Sequence, residues 1–247
     1  MDMQNVRSVA AKEFEIIRRR KSIVLGMVVL PLLLSVGFSS IVQNQVAQAR
    51  QNGVMPTTLP LGLESLTYFF VVLAAILPGS IAAYSIVGEK IEKSLEPLLA
   101  TPMTDGEILL GKSIAAFVPP ILATWAGASI FMVLSDYVLQ SGLSLYYFPE
   151  WTSGIMMLLL APLAAIFSVE VTVIVSSRVN DVRGATQIGT LLFIPFMAVF
   201  VAAVSGNFTF SAVSISIFSG IMLAVDVALF FLSTSTFNRE EILTKWK

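Results

Sequence analysis

Long apolar stretches alternate with short polar segments along the whole chain. A helix of about 20 apolar residues is long enough to cross a hydrocarbon layer about 30 Å thick. Six stretches approach or exceed this length. The pattern therefore predicts an all-α, polytopic membrane protein that forms a single transmembrane domain over residues 1–247, with spans at 22–43, 66–88, 113–134, 153–177, 188–205 and 212–234.

Two parts of this topology have alternatives. Only the six residues 206–211 separate the fifth and sixth stretches, so these stretches are either two spans or a re-entrant pair of half-helices. The basic start of the first stretch and the Ala-Gln-Ala at 47–49 are also compatible with a cleaved signal peptide. Because the apolar stretch is longer than the 7–15-residue apolar region of a signal peptide, we favour an uncleaved anchor.

Charge supports the membrane assignment and orients the chain. Hydrophobic residues make up 56% of the sequence and charged residues only 13%, compared with about 25% charged residues in an average soluble protein. With the N-terminus inside, 14 of the 15 Lys and Arg residues lie in inner segments, and only Arg50 lies outside. Basic residues are normally retained on the cytoplasmic side. We therefore expect a multi-pass protein of the cytoplasmic membrane, with a cytoplasmic N-terminus and a cytoplasmic tail at 235–247.

The segment before the first span has the pattern of an amphipathic helix. Apolar and basic residues fall on different sides of a helix drawn through residues 1–21. The prediction is an interfacial helix on the cytoplasmic membrane surface, with its basic side near anionic lipid head groups. The alternative is that the basic residues only complete the orientation signal. The apolar positions are Val6, Val9, Ala10, Phe14 and Ile17, and the basic positions are Arg7, Lys12 and Arg18 to Lys21.

The chain contains no His and no Cys. This excludes disulfides, thiolate catalysis, zinc sites with His or Cys ligands, and catalytic triads that depend on His. The sequence also has no acidic cluster suited to a metal. We therefore expect neither a metal site nor an enzymatic activity in this chain.

Residues 106–113 match the letter pattern of a phosphate-binding P-loop, G-x-x-x-x-G-K-[ST]. The acidic Glu107 would repel phosphate, and the prolines just upstream do not suit the buried strand that precedes a P-loop. Thr104 and Glu107 instead have the spacing of a capping box, which predicts a helix that starts at Thr104 and continues into the third span. Lys112 would then lie at the membrane boundary and extend its side chain to the head groups. We expect no nucleotide binding by this chain.

The cytoplasmic segment at 89–112 has one apolar stripe on an otherwise charged sequence. Ile91, Leu95, Leu98 and Leu99 share a helix face, and Pro97 should bend or interrupt that helix. A short bent helix with an apolar face is suited to docking on another protein. The alternative is an amphipathic hairpin that packs on the chain's own spans.

The stretch GEKIEKSLEPLLATPMTDGEILLGKSIAA at 88–116 resembles the connection between the second and third spans of ABC type-2 permeases. The resemblance implies the transmembrane permease subunit of an ATP-driven exporter, with a coupling helix that docks on separate ABC ATPase subunits. It also implies a second permease copy or a related permease, with the substrate crossing between the two. ATP and magnesium would be bound by the ATPase, and this chain would need no cofactor and bind no nucleic acid. The residues implied in ATPase coupling are Glu89, Glu92, Leu95, Glu96, Pro97, Leu98, Leu99, Thr101 and Pro102.

Two acidic residues, Glu170 and Asp226, lie inside predicted spans. An ionisable group is costly in lipid, so each should face the bundle interior, a water-filled path or a partner. They are candidates for a substrate pathway that handles a cation or a proton, and the alternative is a structural role in helix contacts. They also leave open a second function, a secondary transporter driven by an ion gradient. A membrane scaffold or an intramembrane enzyme is a third possibility.

Overall fold

The computed structural model describes residues 2–53, 58–85, 103–178 and 193–236, together with the single residues 184, 187 and 191. Within these residues the chain is helical and contains no strand. One π-helical segment, Met156–Leu160, joins α5 to α6. The helices are α1 (Met3–Arg19), α2 (Lys21–Asn52), α3 (Leu59–Ala83), α4 (Asp105–Leu143), α5 (Trp151–Ile155), α6 (Ala161–Arg178), α7 (Phe193–Val204) and α8 (Ala212–Thr236).

Five helical stretches are long and apolar enough to cross a membrane: α2, α3, α4, the continuous stretch from α5 to α6, and α8. They correspond to the first, second, third, fourth and sixth predicted spans. At the fifth predicted span the described helix is α7, whose 12 residues cover roughly 18 Å, and most of the predicted span before Phe193 lies outside the described residues. The multi-pass, all-helical prediction is confirmed, whereas the count of six spans stays a prediction.

Several helices extend beyond the predicted spans. The 39 residues of α4 cover roughly 58 Å, about twice the thickness of the hydrocarbon layer. Its start, near Thr104, and its end, near Ser144, must therefore project beyond that layer. The predicted boundaries at 113 and 134 mark only the most apolar part of this helix, because hydropathy detects the lipid-compatible segment and not the end of the hydrogen-bonded helix.

Helices α2 and α4 run side by side in the same direction. Pro31 contacts Gly127, and 15 residues later on each helix Val46 contacts Gly142. The hydroxyl of Ser35 donates a hydrogen bond of 2.6 Å to the carbonyl oxygen of Gly127. Glycine at the two α4 positions lets the backbones approach closely, which is a common way for membrane helices to associate. The parallel arrangement is the one expected when a single crossing in the opposite direction separates two spans.

Helix α3 lies in the middle of the bundle, and most of its residues are buried. Its Gly79 faces Ser168 and Thr172 of α6, where a side chain larger than hydrogen would collide with the two hydroxyl groups. At the opposite end of the bundle, the hydroxyl of Tyr147 donates a hydrogen bond of 3.1 Å to Glu64 of α3. Burial, together with the nearby charge of Glu64, raises the pKa of Tyr147. The hydroxyl therefore keeps its proton and remains a donor.

Candidate functional site

The residues predicted to couple the chain to an ATPase lie in 86–102, outside the described residues. These predictions concern Glu89, Glu92, Leu95, Glu96, Pro97, Leu98, Leu99, Thr101 and Pro102. The structure does describe both sides of this segment, namely Ser85 just after α3 and Thr104 at the start of α4. The described part of this site therefore consists of the residues on its two flanks.

The start of α4 has the predicted capping box. The backbone N–H of Glu107 donates to the hydroxyl oxygen of Thr104 at 3.4 Å, and the Glu107 carboxylate accepts from the backbone N–H of Thr104 at 3.1 Å. The same carboxylate accepts from the backbone N–H of Asp2 at 2.6 Å and from the side-chain amide of Asn5 at 3.1 Å. Glu107 thus caps its own helix and also fixes the start of α1.

Helix α1 packs along the first turns of α4. A Cβ atom at Gly111 would lie 2.7 Å from the Cβ of Val9, so glycine is needed for this close approach. The apolar stripe of α1 is covered by protein, with Val6, Val9, Ala10 and Ile17 all buried. The predicted helix is therefore present and its apolar stripe packs on α4, while its location at the membrane surface stays a prediction.

Lys112 and Glu13 form a buried ion pair between α4 and α1. The Lys112 Nζ atom lies 2.6 Å from Glu13 Oε1, and the two residues are only 2% and 3% exposed. Lys112 also donates to the carbonyl oxygen of Ser85 at 3.0 Å, and the Ser85 hydroxyl donates to Glu13 Oε2 at 3.0 Å. The expectation that Lys112 reaches the lipid head groups is wrong, since the lysine turns inward to a partner 99 residues away.

Asp2, Glu13, Ser85, Glu107 and Lys112 together form what we term the inner junction. It joins α1, α4 and Ser85, which lies two residues after the end of α3. Sequence reasoning missed Glu13, although a signal was present. Glu13 follows Ala10 by three residues and precedes Ile17 by four, so it falls within the apolar stripe of α1 and not on its polar side. An ionised acidic residue at such a position is stabilised by a buried cationic partner.

Glu170 on α6 and Asp226 on α8 lie deeper in the bundle. Asp226 occupies the inward face of α8 in line with Ile215, Ser219 and Met222, and it is 4% exposed. The two carboxyl groups are close enough to interact electrostatically. Among the described residues, neither Glu170 Oε2 nor either carboxyl oxygen of Asp226 has a hydrogen-bond partner. The two residues, each predicted separately, are thus brought near each other, and three of their four carboxyl oxygens are buried without a partner.

These observations describe two kinds of chemistry. The inner junction holds opposite charges in fixed geometry next to the segment at 86–102, whereas Glu170 and Asp226 present negative charge or acid groups without partners. In the described part of the chain, no group of three or more His, Cys, Asp or Glu residues is arranged to hold a metal ion. The inner junction is therefore a fixed contact between helices, whereas the Glu170–Asp226 region has unsatisfied acidic groups.

A family model described as ABC-2 family transporter protein matches residues 7–225. The chain belongs to the ABC-2 transporter family. It is accordingly the transmembrane permease of an ABC transporter, a transport component and not itself a catalytic one, and it is a multi-pass membrane protein. No curated protein matches this permease. The matched residues include every member of the inner junction except Asp2. They also include Glu170, and the match ends one residue before Asp226.

Proposed function

We propose that this permease is the membrane subunit of an ATP-driven exporter and that residues 89–103 dock on separate ABC ATPase subunits. Two permease copies, or this permease and a related one, would assemble with two ATPase subunits and form the substrate pathway between them. ATP and magnesium would be bound by the ATPase, and lipid would surround the outer helix faces. The proposal includes a location in the cytoplasmic membrane with both termini in the cytoplasm.

The inner junction is the observation that carries this proposal. Ser85 and Thr104 flank the proposed docking segment, and the Lys112–Glu13 pair and Glu107 connect both flanks to α1. A push on the segment would therefore reach α1, α3 and α4 together. Because α1 is followed directly by α2, the same displacement would reach the first span.

The charge distribution supports the orientation, and helix packing supports the order of crossings. Fourteen of the 15 basic residues fall on one side of the proposed topology. The parallel packing of α2 and α4 agrees with a topology in which α3 returns the chain between them. Since the inner junction lies on the side of the proposed topology that holds most of the basic residues, the docking segment would face the cytoplasm, where ATP is available.

Charge reversal in the docking segment tests the proposal. The double variant E92K/E96K should lose most ATPase co-purification and lose substrate-stimulated ATP hydrolysis when produced with its ATPase. E15K on α1 is a matched control, because Glu15 is exposed and pairs only with Arg19 across one helical turn in the described structure. Unchanged ATPase capture and stimulation by E92K/E96K would contradict the assignment.

The unpartnered carboxyl groups favour a second candidate, a transporter driven by an ion gradient through Glu170 and Asp226. The two functions differ in their energy source. In vesicles, an exporter of the first kind should stop when ATP is removed and continue when ionophores collapse the ion gradients. The reverse result would favour the secondary transporter.

A further inference from the structure

A cavity of about 510 Å³ lies between α4, α6 and α8. Its volume is within the range of about 300–1,000 Å³ typical of small-molecule sites. The wall is almost entirely apolar and includes Leu109, Ile114, Phe117, Ile166 and Val173. A ligand of this cavity would therefore need a substantial apolar body.

Glu170 and the hydroxyl-bearing Ser113 are the polar side chains in this lining. Glu170 is the only ionisable residue among the described residues that line the cavity. Because Glu170 lines the cavity, a ligand there can donate a hydrogen bond to its carboxyl group. A charge-assisted hydrogen bond in apolar surroundings is stronger than one in water.

Asp226 increases the negative character of this region. Its side chain is almost completely buried, both of its oxygens lack partners within the described structure, and it interacts electrostatically with Glu170. Lys112 lies near the same part of α4 but is paired with Glu13. Two acidic groups therefore lie at or near an apolar space, and a cationic ligand there would favour their ionised forms.

We propose that this cavity binds a lipophilic ammonium cation. The ammonium group would donate hydrogen bonds to Glu170, with Asp226 contributing electrostatic attraction, and the apolar body would lie against α4 and α6. A neutral lipid chain would fill the volume but leave Glu170 unpartnered, and an anion would be repelled. Export of the bound cation rests on the proposed function, whereas binding does not.

Binding is tested with the purified full chain in phosphatidylcholine nanodiscs, without ATPase or ATP. The probe is a dansyl-labelled six-carbon chain that ends in a primary ammonium, and its matched analogue ends in a hydroxyl. Fluorescence anisotropy gives the Kd of each. We expect E170Q to raise the Kd of the ammonium probe at least tenfold and to leave that of the hydroxyl probe unchanged. E15Q, which makes the same chemical change on an exposed part of α1, should alter neither.

A second variant tests the apolar part of the site independently of charge. Ile166 lines the cavity and is partly exposed, so I166W adds bulk without forcing a large side chain into the closed core. It should weaken binding of both probes at least tenfold. The proposal is overturned if E170Q affects both probes equally or neither, or if I166W leaves both affinities unchanged. Because no ATPase is present, these results are separate from the test of ATPase docking.

Discussion

The inner junction and the Glu170–Asp226 region place acidic groups in opposite circumstances. At the inner junction, Glu13 has a lysine and a serine as partners, and Glu107 accepts three backbone N–H or amide groups from α1 and its own helix start. Deeper in the bundle, Glu170 Oε2 and both oxygens of Asp226 have no partner within the described residues. The same type of side chain is satisfied in one region and unsatisfied in the other.

This difference distinguishes acidic groups that hold helices together from acidic groups that are available to a ligand. A buried charge with complete partners fixes the relative position of helices, and removing one partner is strongly destabilising. A buried acidic group without partners contributes no such constraint and is retained at a cost. We therefore expect substitutions at the inner junction to reduce stability, and substitutions at Glu170 and Asp226 to affect ligand handling more than folding.

The largest effect is expected from K112M. Removal of the lysine leaves Glu13 as an uncompensated buried charge, which typically costs about 3–5 kcal/mol. Denaturant unfolding of the purified chain in micelles, followed by circular dichroism, gives the loss in free energy of unfolding. The double variant E13L/K112M should recover most of this loss, because no buried charge remains. E15Q, which breaks the exposed Glu15–Arg19 pair, should change stability by less than about 0.5 kcal/mol.

Two results would contradict this interpretation. If K112M lost no more stability than E15Q, the pair would not be a buried constraint. If E13L/K112M were as unstable as K112M, the loss would come from packing of the lysine side chain and not from its charge. In either case the hydrogen-bond partners of the carboxyl groups would not explain which substitutions destabilise the protein.

A smaller effect is expected from G111A, which tests the packing part of the inner junction. The added methyl would meet Val9 at 2.7 Å, and overpacking of this kind costs about 1–3 kcal/mol. G220A in α8 is the matched control, because a Cβ there meets no atom within 4 Å. It should be neutral or slightly stabilising, since alanine is a better helix former than glycine. Equal losses in the two variants would show that α1 does not constrain Gly111.

The sequence predicted the parts of this molecule that depend on local pattern. Apolar length located five membrane-crossing stretches, and the spacing of Thr104 and Glu107 located the helix start that the P-loop pattern obscured. Both depend on residues that lie near one another in the chain. The ABC-2 family resemblance, carried by 88–116, is confirmed by the match over 7–225.

Pairings across the chain were not predictable in the same way. Lys112 was expected to reach the lipid head groups because its position in the chain places it at the membrane boundary. That position does not show toward which side of the helix its side chain extends. Its partner Glu13 is 99 residues away, and no local rule connects the two. The proximity of Glu170 and Asp226 likewise depends on how α6 packs on α8, which hydropathy does not specify. Sequence reasoning identified both residues as exceptional but not as neighbours.

The smallest change in the free energy of unfolding is expected from D226N, which tests the region whose acidic groups have no partners. Asparagine has nearly the same volume as aspartate, so packing on the inward face of α8 should be preserved. An amide removes any cost of a buried negative charge but remains a polar group without a partner, so we expect stability within about 1 kcal/mol of the parent chain. The same unfolding measurement used for K112M gives a direct comparison. A loss as large as that of K112M would mean that Asp226 is held by a partner, and the bundle would then contain two structural acidic sites. A near-zero change would leave its retention inside an apolar helix to be explained by the solute that this permease carries.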